Sequence, residues 1–191
     1  MMKTKQRLYA LCECGVLIAL SIALSFIELP WFWANGGGIG FVCIPLLILA
    51  YRHGLVWGIG AGMVYGLIDC LIGRGIGYGL LSILLDYVLA YGALGLAGFF
   101  RKRGLAGLEI GAVVGCVARF VIHFIAGVTI WKIAVGDTIE FMGRSFGSDA
   151  SFLYSALYNG SYMLPNLILA LVILPILFPA LEKLKKTYQA A

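Results

Sequence analysis

Apolar residues in this chain come in six long blocks, and the short stretches between them hold most of the charge. The blocks run from Leu8 to Leu29, Phe41 to Tyr51, Leu55 to Ile72, Gly79 to Phe100, Leu105 to Trp131 and Phe152 to Leu181. A hydrocarbon core about 30 Å thick takes roughly 20 residues of helix. The pattern therefore predicts an all-α polytopic membrane protein with six transmembrane helices, forming a single domain over residues 1–191. The second block is short and follows Gly36, Gly37 and Gly38, which predicts a half-length or strongly tilted helix. The first follows Lys3, Lys5 and Arg7, as a secretory signal would. At about 20 residues it is too long for a typical signal core and lacks a small-x-small cleavage site, so it counts as a span.

Composition agrees: 62% of residues are hydrophobic and 12% charged, with a mean hydropathy of +0.99. Orientation follows from the basic residues, which concentrate in cytoplasmic loops. With six spans, one side receives Lys3, Lys5, Arg7, Arg52, Arg101, Lys102, Arg103, Lys183, Lys185 and Lys186. The other side receives only Arg74, Lys132 and Arg144, diluted by Glu28, Asp137, Glu140 and Asp149. Both the N and C termini are thus expected in the cytoplasm. The same asymmetry accounts for the net charge of +5 without a nucleic-acid partner.

Cys12, Cys14, Cys43, Cys70 and Cys116 lie inside predicted spans without paired CxxC spacing, so they read as small apolar fillers and no metal site is expected. Small residues are more informative. Gly15, Ala19 and Ala23 recur every fourth position on the first helix, and Gly58, Gly62 and Gly66 do so on the third. Such rows let another helix approach closely. The glycine row suits a contact within the chain; the first-helix row suits either an internal neighbour or a partner subunit.

An ionisable side chain inside a membrane costs about 2.5 to 3.5 kcal/mol at a helix centre, so each needs a partner or a task. Glu13, Asp69, Asp86, Glu109, Arg119 and His123 are the ones within spans. At the α-helical rise, Asp86 lies roughly 10 Å below the outer start of its helix, His123 roughly 12 Å below the outer end of its own, and Asn159 roughly 12 Å below the outer start of the last helix. Three polar groups from three helices thus share a layer in the outer half of the membrane. Trp31, Trp33, Tyr78, Tyr87, Trp131, Tyr154, Tyr158 and Tyr162 crowd the same end. An acid among aromatic faces suits an organic cation, while His123 and Asn159 offer edges that can hydrogen-bond a heterocycle. Asp69 could replace or assist Asp86, and an internal Asp86–Arg119 ion pair is the plain structural alternative.

Two motif searches argue against other chemistries. Gly143-Arg144-Ser145-Phe146-Gly147 matches G-x-S-x-G, but it sits in a polar outer loop and not on a strand-to-helix elbow. No G-x-x-x-x-G-K-[ST] loop exists, so the chain has no P-loop for ATP.

These residues resemble the thiamine-specific substrate-binding subunits of energy-coupling factor (ECF) vitamin transporters. The resemblance rests on His123-Phe124-Ile125-Ala126-Gly127 followed by Trp131, and on Tyr154-Ser155 with Asn159-Gly160. Asp86-Tyr87 and the segment from Cys43-Ile44-Pro45 to Arg52-His53-Gly54 also fit, so it covers nearly the whole chain. It implies six helices in the plasma membrane of a bacterial-type cell and a thiamine pocket near the outer face. It also implies assembly with a membrane coupling subunit and two cytoplasmic ATPases, which use the ATP, while this chain needs no cofactor and catalyses no reaction. The pocket it implies is carried by Asp86, Tyr87, His123, Trp131, Tyr154 and Asn159, with Tyr78 standing in for a family Tyr. Either Trp31 or Trp33 supplies the Trp of the first outer loop, Trp33 being preferred. The family acid is usually Glu, and Asp86 is one methylene shorter. Gly15, Ala19 and Ala23 match the face that similar subunits turn toward the coupling subunit. Three rival functions remain open to test: capture of a precursor such as a hydroxymethylpyrimidine, proton-coupled transport through Asp86 or Asp69, and intramembrane hydrolysis using Ser145 and His123.

Overall fold

A computed structural model describes residues 4–29, 33, 36–74, 79–131 and 138–190. Six helical segments follow one another: α1 Thr4–Ser25, α2 Cys43–His53, α3 Leu55–Asp69, α4 Leu80–Phe100, α5 Gly104–Ala126 and α6 Ser151–Ala190. π-helical turns extend α3 over Cys70–Arg74 and α5 over Gly127–Trp131. Within α4, a π-helical stretch at Ile83–Leu89 gives way to a 3₁₀ stretch at Leu94–Phe100. Side-chain contacts fix the chain directions. Glu13 in the first half of α1 ion-pairs with Arg52 and hydrogen-bonds His53 at the end of α2, and Arg52 Nη1 donates to the Leu181 carbonyl of α6 at 3.2 Å. The first half of α1 and the far part of α6 therefore meet around the end of α2.

By length and composition five of these helices, all but α2, can cross a membrane among the described residues. The second block forms only 11 residues of helix, about 16 Å at the α-helical rise, which matches its expected half length. The described residues just before it, 36–42, are not helical. Residues 36–42 come down beside α6, where Asn166 Oδ1 accepts from the Gly40 N–H at 2.8 Å and Asn166 Nδ2 donates to the Gly38 carbonyl at 2.9 Å. Leu29 and Ile39 form an isolated antiparallel bridge across the same segment. Non-helical backbone is tolerable at membrane depth only where protein satisfies it, and Asn166 does so from both ends of its amide. Asn166→Leu should thus leave two backbone groups unmatched and lower stability by about 2–4 kcal/mol. An unchanged melting temperature of the purified variant would show that this segment is held by other means.

The glycine row of α3 has its partner inside the chain. A Cβ at Gly62 would overlap the Tyr91 carbonyl, and one at Gly66 the Tyr87 carbonyl, while one at Gly58 would come within 2.9 Å of Gly95 Cα. The rows of α3 and α4 therefore pack backbone to backbone, which brings α4 against α3 and sets the position of Asp86. By contrast Gly15, Ala19 and Ala23 are exposed on α1.

The stretch expected as a polar loop holds a small hairpin. Thr138–Phe141 (β1) and Arg144–Gly147 (β2) form an antiparallel hairpin in which Ile139 pairs with Phe146 and Phe141 with Arg144. Its turn residues Met142 and Gly143 have φ of 51° and 73°, as a two-residue turn matched to strand twist requires. Phe141 and Phe146 are both buried, with Phe141 5.1 Å from the Tyr158 ring and Phe146 5.8 Å from the Tyr154 ring. The signal lay in the apolar residues alternating on either side of Met142-Gly143.

Candidate ligand-binding site

A cavity of about 450 Å³ opens among the helices, and Trp33, Asp86, Tyr87, His123, Tyr154 and Asn159 all line it. Tyr78, Trp31 and the side chain of Trp131 lie outside the described residues. Asp69 lines the same space.

Its acidic wall begins on α4. Ser82, just before the π-helical stretch, stands four residues ahead of Asp86, and its hydroxyl donates to Asp86 Oδ2 at 2.7 Å. His123 Nδ1 lies 3.1 Å from Asp86 Oδ1, close enough to donate a hydrogen bond that fixes the ring. The ring's Nε2 is buried without a partner among the described residues. Each carboxylate oxygen thus has one protein donor and keeps acceptor capacity for a ligand. Asp69, on α3, accepts from the hydroxyls of Tyr65 and Tyr91 at 3.4 and 3.5 Å.

The expected alternative of an Asp86–Arg119 ion pair is not what forms. Arg119, one turn from His123 on α5, donates through Nη1 to Cys43 Sγ at 3.0 Å and stacks over the Tyr91 ring at 4.3 Å. It makes no ion pair among the described residues.

Asn159 reaches this layer because α5 and α6 converge at Gly127, where a Cβ would strike Ser155 Oγ. Its Nδ2 donates to the Ser155 carbonyl at 3.0 Å and lies 3.4 Å from the His123 carbonyl, while its Oδ1 accepts from the Tyr162 hydroxyl at 2.9 Å. The amide is therefore the centre of a hydrogen-bond knot that locks His123, Ser155 and Tyr162 together.

Tyr154, Tyr158 and Tyr162 follow one another along one face of α6, with successive ring centroids 5.4 and 6.2 Å apart. Above them, Trp33 Nε1 donates to Ser161 Oγ at 2.7 Å, and the Tyr158 hydroxyl donates to the Gly36 carbonyl at 2.7 Å. These bonds pin the descending segment over the cavity. The sequence places Tyr158 and Tyr162 at this end and shows Ser155 beside Tyr154 without assigning any of the three to the pocket, and it does not single out Ser82 or Asn166. A signal of helical spacing exists for two of them: Ser82 and Ser155 each stand four residues before an assigned residue. Ser145 is exposed on β2, so no nucleophile faces His123 there.

A bundle of membrane-crossing helices around a cavity walled by acid on one side and aromatic rings on the other defines a membrane protein built to take up a small polar ligand. Residues 11–186 match the model of the thiamine transporter protein family (Thia_YuaJ), and the chain belongs to that family. Thiamine transporter ThiT of Bacillus subtilis is 27% identical over 99% of this chain and the whole of its own length. ThiT of Lacticaseibacillus paracasei is 30% identical over 96% of this chain and 93% of its own. A solved structure of ThiT from Listeria monocytogenes superposes with a TM-score of 0.79 at 27% identity, covering 94% of this chain and 98% of that one. The protein is thus a multi-pass protein of the plasma membrane, in a family of transporters and not of enzymes.

Proposed function

We propose that this chain captures thiamine with high affinity at the outer face of the membrane, as the substrate-specific subunit of an ECF-type importer with both termini in the cytoplasm. The observation that carries the substrate is the Asp86 carboxylate, poised by Ser82 and His123 inside a cavity walled by Trp33, Tyr87, Tyr154 and Tyr158. A thiazolium cation near Asp86 gains charge pairing and ring contact where water is largely excluded. The aminopyrimidine meets His123 and the Asn159 knot, with Trp131 and Tyr78 proposed as further walls. Energy comes from two ATPases acting through a coupling subunit on the exposed Gly15, Ala19 and Ala23 face of α1, and this chain itself only binds.

Titrating purified protein with thiamine while following tryptophan fluorescence tests the substrate directly. Saturable quenching is expected well below micromolar thiamine, and Asn159→Ala should weaken binding by more than tenfold, about 1.4 kcal/mol. Absence of binding at micromolar thiamine would refute the assignment, and equal displacement by free hydroxymethylpyrimidine would show that the cationic ring is not recognised.

A further inference from the structure

We propose that Arg119 is a specificity-determining residue that recognises the neutral, nitrogen-bearing ring of the substrate from the floor of the cavity, an assignment that rests on the thiamine reading above. The starting point is a cation whose surroundings do not match it. Arg119 lines the cavity with 8% of its surface exposed, and its Nε is buried without a hydrogen-bond partner. A guanidinium carries five N–H donors. Its one hydrogen-bond acceptor among the described residues is the Cys43 sulfur, a weak one. Burying a charge with its donors unmatched costs several kcal/mol unless something else completes the site.

The neighbouring acids do not complete it. Asp86 is held by Ser82 and His123, and Asp69 receives the hydroxyls of Tyr65 and Tyr91. The Tyr91 ring covers one face of the guanidinium at 4.3 Å, which supports the charge and holds the group flat. Such stacking leaves the in-plane N–H groups as the means of contact with a ligand.

The chemistry of the acceptor follows from the rest of the lining. Glu28, Asp69 and Asp86 all face this cavity, so an anionic group brought to Arg119 would also meet three carboxylates. A neutral ring nitrogen accepts from the guanidinium without that repulsion. The cavity therefore has two unlike ends: acids with aromatic walls for a cation, and below them an unmatched donor for an uncharged heterocycle. Arg119 lies one turn below His123, about 6 Å deeper along α5, where a pyrimidine held by His123 would present a ring nitrogen.

Two probes separate this role from a structural one. Thiamine carries both rings; 3-benzyl-5-(2-hydroxyethyl)-4-methylthiazolium keeps the cation and replaces the pyrimidine by phenyl. Affinities for both would be measured by tryptophan fluorescence on wild type, Arg119→Met and Arg119→Lys, each checked for a monodisperse, cooperatively melting protein. Both variants should lose at least about tenfold in thiamine affinity and stay within about threefold for the benzyl probe. Lysine keeps the charge and loses the planar fork, so it carries the same readout if Arg119→Met does not fold. Unchanged thiamine binding in a folded variant, or equal losses for both probes, would overturn the assignment of Arg119 while leaving the thiamine reading intact. Failure of wild type to bind thiamine would overturn both.

Discussion

Asp86→Asn will weaken thiamine binding by roughly a hundredfold, about 2.8 kcal/mol, with little change in the folded state. The amide has nearly the shape of the carboxylate and keeps one acceptor oxygen, so either the Ser82 hydroxyl at 2.7 Å or His123 Nδ1 at 3.1 Å retains a partner. What disappears is the countercharge for the ligand. Truncating one member of a desolvated charge pair typically costs 2–5 kcal/mol, because the remaining charge is left without compensation. Free hydroxymethylpyrimidine, which has no cation, should bind Asp86→Asn within about threefold of wild type, since it never used the charge. Asp86→Glu should retain thiamine binding to within about tenfold, as the longer arm still delivers a carboxylate to the same wall. If Asp86→Asn binds thiamine like wild type, the cation is neutralised elsewhere, and Asp69 is the group to change next because it lines the same cavity.

How much of this site the sequence discloses depends on whether a residue's position follows from its own helix. Depth along a helix does, which is why Asp86, His123 and Asn159 could be assigned to one layer from rise per residue alone. Direction around the axis does not follow so simply. The π-helical stretch at Ile83–Leu89 changes the turn from i→i+4 to i→i+5 hydrogen bonding, so the lateral partner of Asp86 could not be chosen between Arg119 and His123 by counting. The descending segment is harder still. Gly38 and Gly40 are bonded by a side chain 128 and 126 residues away, and nothing in the glycine run itself names Asn166 as the partner. The half-length second block was legible because a short apolar run has few ways to cross a bilayer. Its complement, a stretch of non-helical backbone held by one amide, was not. Likewise the hairpin at residues 138–147 is built from a polar stretch whose two buried phenylalanines matter only once the tyrosines of α6 are beside them.

The largest effect on folding is expected at Gly62, where Gly62→Val should leave no monodisperse protein. A Cβ there would overlap the Tyr91 carbonyl and approach Gly92 Cα within 3.0 Å. Both obstacles are backbone, so no side-chain rotation relieves them and the two helices must separate. Overpacking in a well-packed interior costs about 1–3 kcal/mol or more, and here separation also loosens the neighbouring contacts of Gly58 and Gly66 in the same row. In a bilayer, close packing of small residues is a main source of helix association, because lipid tails remove the hydrophobic drive between helices. Gly62→Ala should therefore already lower the melting temperature, and Gly60→Ala supplies the control, since nothing lies within 4 Å of a Cβ at that position. The consequence reaches the ligand site, because the carbonyls that meet this row belong to Tyr87 and Tyr91, which line the cavity beside Asp86. Any folded Gly62→Ala protein should thus bind thiamine more weakly than Gly60→Ala does. Wild-type melting of Gly62→Val by size-exclusion-purified sample would mean that α3 and α4 do not meet backbone to backbone, and the position of Asp86 would need another support.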